Sequence, residues 1–233
     1  MDRQFDAQYW ERHYQDSPGA AENDHDRRGS VNPHLVSAVS DRAVSDGEPK
    51  TALDAGCGHG IEAAWLAEQG WQVTGVDVSR TALDRAERIV RARGVQHRVN
   101  LISADLTTWA PEEPYALVVT HYVHPATPQL KFYRRIADWV RVGGVLLIIG
   151  HLQQHGAHDA DRASDAPGAT HAAQDHGRHN PPEQAQVRAA DVVATLDPER
   201  WRVDVAEEVS REVASGESAV TLHDVVVRAT RLT

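Results

Sequence analysis

The sequence has a single cysteine, Cys57, and no apolar run near the roughly 18 residues that a membrane-spanning helix needs. One thiol excludes an internal disulfide framework and favours a reducing compartment. The first residues lack the basic start and apolar segment of a signal peptide. We therefore expect a cytoplasmic protein with no membrane partner.

Acidic residues outnumber basic residues, and the formal net charge is -10 at pH 7. Nonspecific binding to nucleic acid or to an anionic membrane requires a basic face, so the charge disfavours both partners. The basic residues are almost all arginine, with lysine only at Lys50 and Lys131. Together with the many alanines and valines, this usage indicates a GC-rich bacterial gene.

Strand and helix patterns alternate between residues 50 and 150. Short apolar segments predict strands at residues 51–54, 71–76, 99–103, 115–120 and 145–150. Helical patterns fall between them, at residues 61–70, 80–93 and 128–141. This alternation predicts an α/β, Rossmann-like fold, with a mostly parallel sheet and helices on both faces.

Two segments flank this pattern. Residues 1–45 predict an N-terminal helical lid or cap, in which Tyr9, Trp10 and Tyr14 recur at helical spacing. Residues 46–233 form the main predicted domain, and the His-rich segment, residues 151–183, interrupts it as an irregular insertion. A helix near residues 184–196 follows, and then strands near 201–210 and 219–229 that predict a C-terminal antiparallel hairpin.

The first predicted strand runs directly into a glycine-rich turn, Asp54-Ala55-Gly56-Cys57-Gly58-His59-Gly60. Glycines allow positive φ and a close approach of the backbone to a ligand. A dinucleotide site prefers G-x-G-x-x-G, but the third glycine here comes one residue early. Asp54 also suits an ammonium group better than a pyrophosphate. The spacing favours S-adenosylmethionine over NAD, an alternative that would require NADH binding.

Two further acidic motifs follow the next two strands. Asp77 ends the second strand, where a carboxylate can accept hydrogen bonds from both ribose hydroxyls, and Val78 would pack on the adenine. Ala104-Asp105-Leu106 follows the third strand, and Asp105 would accept from the adenine amino group. All three motifs lie where open α/β sheets bind ligands.

Taken together, the three motifs resemble those of class I S-adenosylmethionine-dependent methyltransferases. They are most similar to small bacterial methyltransferase-domain proteins akin to the tellurite-resistance and thiopurine-type enzymes. The resemblance covers roughly residues 30–150 and implies a seven-stranded sheet that ends in a reversed hairpin. It implies that the cofactor is bound by Asp54, Gly56, Cys57, Gly58, Gly60, Asp77, Val78, Ala104, Asp105, Leu106 and Thr120.

The segment after the fourth strand, Thr120-His121-Tyr122-Val123-His124, resembles the family motif that lines the methyl site. A base is needed only if the acceptor arrives protonated. His121 is the first candidate because imidazole titrates near neutrality. Tyr122 and His124 are the alternatives, and a purely structural role for His121 is equally compatible with the sequence.

Two other histidine and arginine patterns have simpler interpretations. His151, His155 and His158 would share a helical face that could bind a metal, whereas a solvated loop needs no metal, so we assign no metal site. The arginines at positions 80, 85, 88, 91 and 93 predict the solvated face of a helix.

The sequence predicts an enzyme that transfers a methyl group from S-adenosylmethionine to a small molecule. The alternative is a binding or regulatory module that keeps the cofactor pocket without turnover. Cofactor-dependent formation of S-adenosylhomocysteine separates the two hypotheses.

Overall fold

A computed structural model describes residues 5–16, 31–40, 49–153, 186–215 and 218–233. Of the His-rich segment, only residues 151–153 lie within these ranges. In the described ranges, no helix is long and apolar enough to cross a membrane.

The described residues form six helices and eight strands. The helices are α1 (Ala7–Gln15), α2 (Pro33–Ser40), α3 (Ile61–Glu68), α4 (Arg80–Ala92), α5 (Gln129–Ala137) and α6 (Ala189–Ala194). The strands are β1 (Thr51–Ala55), β2 (Gln72–Asp77), β3 (Val99–Ser103), β4 (Tyr115–His121), β5 (Val140–Leu152), β6 (Gln186–Val187), β7 (Trp201–Ser215) and β8 (Ser218–Arg231).

The main sheet has the strand order β3-β2-β1-β4-β5-β8-β7, and the short β6 pairs with β5 off this path. β1 to β5 are parallel, whereas β8 runs antiparallel to β5 and β7 antiparallel to β8. The predicted Rossmann-like α/β fold with a C-terminal antiparallel hairpin is therefore confirmed. The strand order reverses between β1 and β4, and ligands bind at such switch points in open α/β sheets.

Successive residues of the central strands face opposite sides of the sheet, and each side has its own hydrophobic core. Val118 of β4 packs with Phe132 and Ile136 of α5. Its neighbours Leu117 and Val119 belong to the opposite core, which includes residues of α2, α3 and α4. Successive strand residues face opposite sides, so apolar segments without polar alternation are buried on both faces.

Three predicted boundaries differ from the structure. The helix expected at 128–141 ends at Ala137, and β5 begins at Val140, well before residue 145. Gly143-Gly144, a pair that usually ends a helix, lies inside β5, where the register with β4 shifts between Tyr115 and Leu117. The hairpin strands are also longer than predicted, because polar residues on the exposed face of β7 extend the pairing with β8.

The prediction that His151, His155 and His158 share a helical face is wrong for His151. His151 lies in β5 and pairs with Asp224 of β8, so it cannot share a helix with the others. His155 and His158 lie outside the described residues. Within the part of the chain that the structure describes, no group of three potential metal-binding side chains is found.

Candidate active site

A cleft opens at the carboxyl ends of β1 to β4, and its cavity volume is about 110 Å³. This volume is smaller than the roughly 300–1,000 Å³ of small-molecule sites. Its lining residues come from the N-terminal segment, the first three strand ends and the segment after β4. They are Phe5, Asp6, Ala7, Trp10, Tyr14, Gly56, Asp77, Val78, Ala104, Asp105, Leu106, Thr107, His121, Tyr122, Val123, His124, Pro125, Ala126 and Phe132.

The glycine-rich turn has positive φ at Gly56, Gly58 and Gly60, which glycine adopts without a steric penalty. A Cβ on Gly56 would collide with the side chain of Val123. One on Gly60 would lie 2.7 Å from the Cβ of Ala86 in α4. Only Gly56 of the three lines the cleft, so Gly58 and Gly60 shape the turn and its packing.

Two other residues that were predicted to bind the cofactor, Cys57 and Thr120, do not line the cleft. Cys57 is buried, and its sulfur packs beside Gly75 of β2. Thr120 is fully buried, and its hydroxyl donates a 2.9 Å hydrogen bond to the carbonyl of Ala55. Thr120 therefore joins the ends of β4 and β1.

Asp77 connects the end of β2 to the glycine-rich turn. One carboxylate oxygen accepts a 2.9 Å hydrogen bond from the Gly58 N–H, and the other accepts one of 2.9 Å from the Ser79 N–H. Burial raises the pKa of Asp77, and these N–H donors oppose that shift. The carboxylate is thus held in one orientation at the cleft wall.

Asp54 is buried at the end of β1, and its Oδ2 has no hydrogen-bond partner in the described ranges. Burial, and then the charges of Glu62 and Asp77, raise its pKa well above the ordinary value. A buried carboxylate without a cation is costly. Although Asp54 does not line the cleft, its chemistry fits a ligand that brings positive charge, as the ammonium and sulfonium groups of S-adenosylmethionine do.

The third motif lines the cleft as expected. Val78, Ala104 and Leu106 give it an apolar wall. Asp105 is exposed, and its Oδ1 accepts a 2.8 Å hydrogen bond from the Thr107 N–H. That bond leaves its other oxygen available for a ligand.

The two candidate histidines, His121 at the end of β4 and His124 after it, both have lowered pKa values. The Nε2 atoms of His121 and His124 are buried and have no hydrogen-bond partner among the residues described. Burial lowers the pKa of His121. Burial, together with the nearby His151 and His13, lowers the pKa of His124 to about 4.

The Tyr122 hydroxyl is hydrogen-bonded to side chains of the C-terminal hairpin. Tyr122 has φ 53°, which costs energy for a residue with a side chain. Its hydroxyl donates a 2.7 Å hydrogen bond to Asp224 of β8 and accepts one of 2.8 Å from Arg211 of β7. Burial and Asp224 raise the pKa of Tyr122, so its hydroxyl stays protonated. These contacts hold the segment after β4 against the hairpin.

Helix α1 closes one side of the cleft. Asp6 begins the helix by accepting a 2.8 Å hydrogen bond from the Tyr9 N–H. Trp10 and Tyr14 line the cleft, while Tyr9 packs against Phe5 instead. The indole N–H of Trp10 donates a 3.1 Å hydrogen bond to the carbonyl of His124.

A carboxylate that the sequence did not reveal attaches α1 to α4. Glu11 accepts hydrogen bonds of 2.8 Å from the Ser79 hydroxyl and 2.6 Å from the Thr81 hydroxyl, at the start of α4. Arg85 donates a 2.7 Å hydrogen bond to the Tyr14 carbonyl. Arg85 is therefore buried, and the prediction that it lies on a solvated face is wrong.

The comparisons with known proteins identify the central part of the chain. Residues 52–144 match the sequence model of the family described as "Methyltransferase domain". The trans-aconitate 2-methyltransferase of Rhizobium rhizogenes is 33% identical over 99 residues, which are 42% of this chain and 37% of that protein. The matched segments span half or less of each curated relative, from 16% to 49% of its length.

Solved structures support the fold over a larger part of the chain. The magnesium protoporphyrin IX methyltransferase of Synechocystis PCC 6803 with bound SAM has a TM-score of 0.59 at 17% identity, over 100% of both chains. TehB from Haemophilus influenzae has a TM-score of 0.62 at 15% identity, over 87% of this chain and 63% of that one. At this identity the likeness shows the fold.

Proposed function

We propose that this chain, whose residues 52–144 belong to the methyltransferase-domain family, transfers a methyl group from S-adenosylmethionine to a small-molecule acceptor. The observation that carries the proposal is the pair of buried carboxylates at the switch point. Asp77 is oriented by two N–H donors, and Oδ2 of Asp54 has no hydrogen-bond partner among the described residues. Together they suit a ligand with ribose hydroxyls and positive charge.

Three groups of residues have proposed roles in holding the cofactor. The Asp54 carboxylate, behind Gly56, favours the ammonium group of the methionine moiety. Asp77 accepts hydrogen bonds from the ribose hydroxyls. Val78, Leu106 and Asp105 surround the adenine.

The bound cofactor supplies a methyl group already activated by a positive sulfur. The protein contributes alignment and the exclusion of water, and such positioning supplies up to roughly 7–11 kcal/mol of a barrier. The residues after β4 and helix α1 line the cleft where an acceptor would enter, and their aromatic side chains exclude water from it.

A small acceptor is supported by the net charge of -10. The charge disfavours RNA and DNA because nucleic-acid binding depends on basic residues. The relative in Rhizobium rhizogenes is named for a small acceptor, trans-aconitate. We place the protein in the cytoplasm because its one thiol, Cys57, is free and buried.

We also assign residues 1–45 as a lid and residues 46–233 as the catalytic domain.

Glu11→Gln removes the negative charge that accepts hydrogen bonds from the Ser79 and Thr81 hydroxyls, so α1 should open more often. We expect S-adenosylmethionine to dissociate several-fold faster, measured by stopped-flow tryptophan fluorescence. Gln8→Glu, at an exposed position on the same helix, is the control and should leave dissociation unchanged. Equal rates in wild type and Glu11→Gln would contradict the lid.

Cofactor binding should release protons from Asp54 at pH values below the raised pKa of this residue. Free Asp54 has a raised pKa, and a neighbouring cation favours its charged form, so the complex holds fewer protons than the free protein. Affinity should therefore rise with pH up to the raised pKa of Asp54 and then level off. Calorimetry in buffers of different ionisation enthalpy measures the protons, and Asp54→Asn should reduce their number. A pH-independent affinity would contradict this role.

The direct test of turnover is the formation of S-adenosylhomocysteine by the purified chain, with and without a panel of small acceptors. Acceptor-dependent formation supports a methyltransferase. Tight cofactor binding with no product for any acceptor favours the alternative, a non-catalytic binding or regulatory module.

A further inference from the structure

One side of helix α1 brings a carboxylate and two aromatic rings to the cleft. Asp6, Trp10 and Tyr14 follow one another at intervals of four residues, which places them on the same side of the helix. All three line the cleft. An aromatic ring beside a carboxylate suits an organic cation, because the face of the ring and the carboxylate both attract positive charge.

This side of α1 lies beside the segment after β4, where the acceptor is proposed to enter. Trp10 donates its indole N–H to the His124 carbonyl over 3.1 Å, and the ring centroids of Phe5 and His124 are 5.8 Å apart. The other two lining carboxylates follow β2 and β3 and have proposed cofactor partners. Asp6 is therefore the lining carboxylate on the acceptor side of the cleft.

The Asp6 side chain can cap α1 and still meet a ligand. Its Oδ1 accepts a 2.8 Å hydrogen bond from the Tyr9 N–H, which is the one hydrogen bond that this carboxylate makes among the described residues. Asp6 is half-buried at the edge of the cleft. Its Oδ2 is therefore available to a cation in the cleft.

The charges along the cleft favour a cation over an anion. Its charged lining side chains are Asp6, Asp77 and Asp105, and no arginine or lysine is among the described lining residues. Burial lowers the pKa of both lining histidines, His121 and His124, because it disfavours the charged ring. A carboxylated acceptor would meet like charge here, which disfavours it, whereas an amine would not.

The ionisable groups at and after the end of β4 are poor bases. His124 has a pKa of about 4, so its ring holds a proton only weakly near neutral pH. Burial also lowers the pKa of His121. The Tyr122 hydroxyl already donates its proton to Asp224. This arrangement suits an acceptor that needs no base on the protein, unlike an alcohol or a thiol, which must lose a proton when it is methylated.

We propose that the acceptor is a small amine, and that Asp6 and the ring of Trp10 stabilise the positive charge that its nitrogen gains during methyl transfer. The proposal rests on the methyltransferase function proposed above and names its acceptor class.

The amine reacts in its neutral form, after an ammonium form has given its proton to water. The nitrogen lone pair forms the bond to the methyl carbon as the bond from that carbon to the sulfonium breaks, and the cofactor sulfur keeps the electrons of the broken bond. Positive charge thus passes from sulfur to nitrogen. A tertiary amine becomes a quaternary ammonium ion, and no proton moves.

The test uses the full chain with S-adenosylmethionine and a set of acceptors of similar shape. They are 2-phenylethylamine, its N,N-dimethyl derivative, 2-phenylethanol, 2-phenylethanethiol and 3-phenylpropionate. Formation of S-adenosylhomocysteine gives the rate. We expect kcat/KM for both amines to exceed that for the alcohol, the thiol and the carboxylate at least about tenfold, because only the amines gain a charge that the acidic cleft attracts.

Asp6→Asn isolates the charge, because asparagine caps a helix about as well as aspartate does. It should lower kcat/KM for the N,N-dimethyl amine about tenfold, as the loss of one nearby charge does. It should leave kcat/KM for the thiol unchanged or raise it, and calorimetry should show an affinity for S-adenosylmethionine close to that of wild type. Asp16→Asn, an exposed carboxylate at the other end of α1, is the matched control and should act like wild type.

Several results would overturn the inference. They are better use of the alcohol, the thiol or the carboxylate than of either amine, no turnover of the amines while the cofactor binds, and equal amine kinetics in wild type and Asp6→Asn. A loss of cofactor affinity in Asp6→Asn that accounts for the whole loss of rate would also overturn it, because Asp6 would then hold the cofactor. Failure of wild type to bind S-adenosylmethionine is a different result, because it removes the proposed function itself.

Discussion

Replacing Asp77 with asparagine is expected to weaken S-adenosylmethionine binding at least about 100-fold. Both carboxylate oxygens accept backbone hydrogen bonds, from Gly58 and from Ser79. An asparagine amide would turn its NH2 group towards one of these N–H donors and would lose the charge that the ribose hydroxyls need. Hydrogen bonds to charged groups contribute about 1.5–3 kcal/mol each, and two such losses exceed two decades of affinity.

The control is Asp84→Asn, an exposed carboxylate on α4, which should bind the cofactor like wild type. Both variants are compared by calorimetric titration, after circular dichroism has shown that each is folded. If a folded Asp77→Asn binds within threefold of wild type, Asp77 does not hold the ribose.

Replacing Arg211 with methionine is expected to lower the free energy of unfolding by about 3 kcal/mol. Arg211 donates a 2.6 Å hydrogen bond to the carboxylate of Asp224, whose side chain has 0% exposure. Without the guanidinium, the fully buried Asp224 carboxylate keeps only the Tyr122 hydroxyl as a side-chain donor among the described residues. Such a loss costs several kcal/mol, and the partial exposure of Arg211 places the value at the lower end.

β7 offers a matched control for this variant. Arg202 forms an ion pair of 2.8 Å with Asp204, but its side chain is 63% exposed, against 26% for Arg211. Arg202→Met should cost less than about 1 kcal/mol, as surface ion pairs do. Chemical denaturation measures both variants, and equal costs would show that Asp224 does not depend on Arg211.

Much of the fold could be predicted because the sequence patterns are local. The apolar segments around Leu53, Val76 and Val118 predicted parallel strands, and the turn after Asp54 predicted where they meet. Polar residues at the strand ends then predicted the cleft, since the carboxyl ends of parallel strands share one edge. The boundary between α5 and β5 was missed because Gly143-Gly144, a usual stop signal, lies inside a strand.

The parts that could not be predicted depend on contacts between distant residues. Glu11 meets Ser79 and Thr81 about 70 positions away, and no spacing rule connects them. Tyr122 and Asp224 are 102 positions apart.

The most direct test of the central claim is calorimetric titration of the purified chain with S-adenosylmethionine, S-adenosylhomocysteine and NADH. The buried carboxylates at the switch point predict micromolar binding of the first two ligands and no binding of NADH. Binding of NADH instead, or of none of the three, would contradict the assignment of this cleft to S-adenosylmethionine.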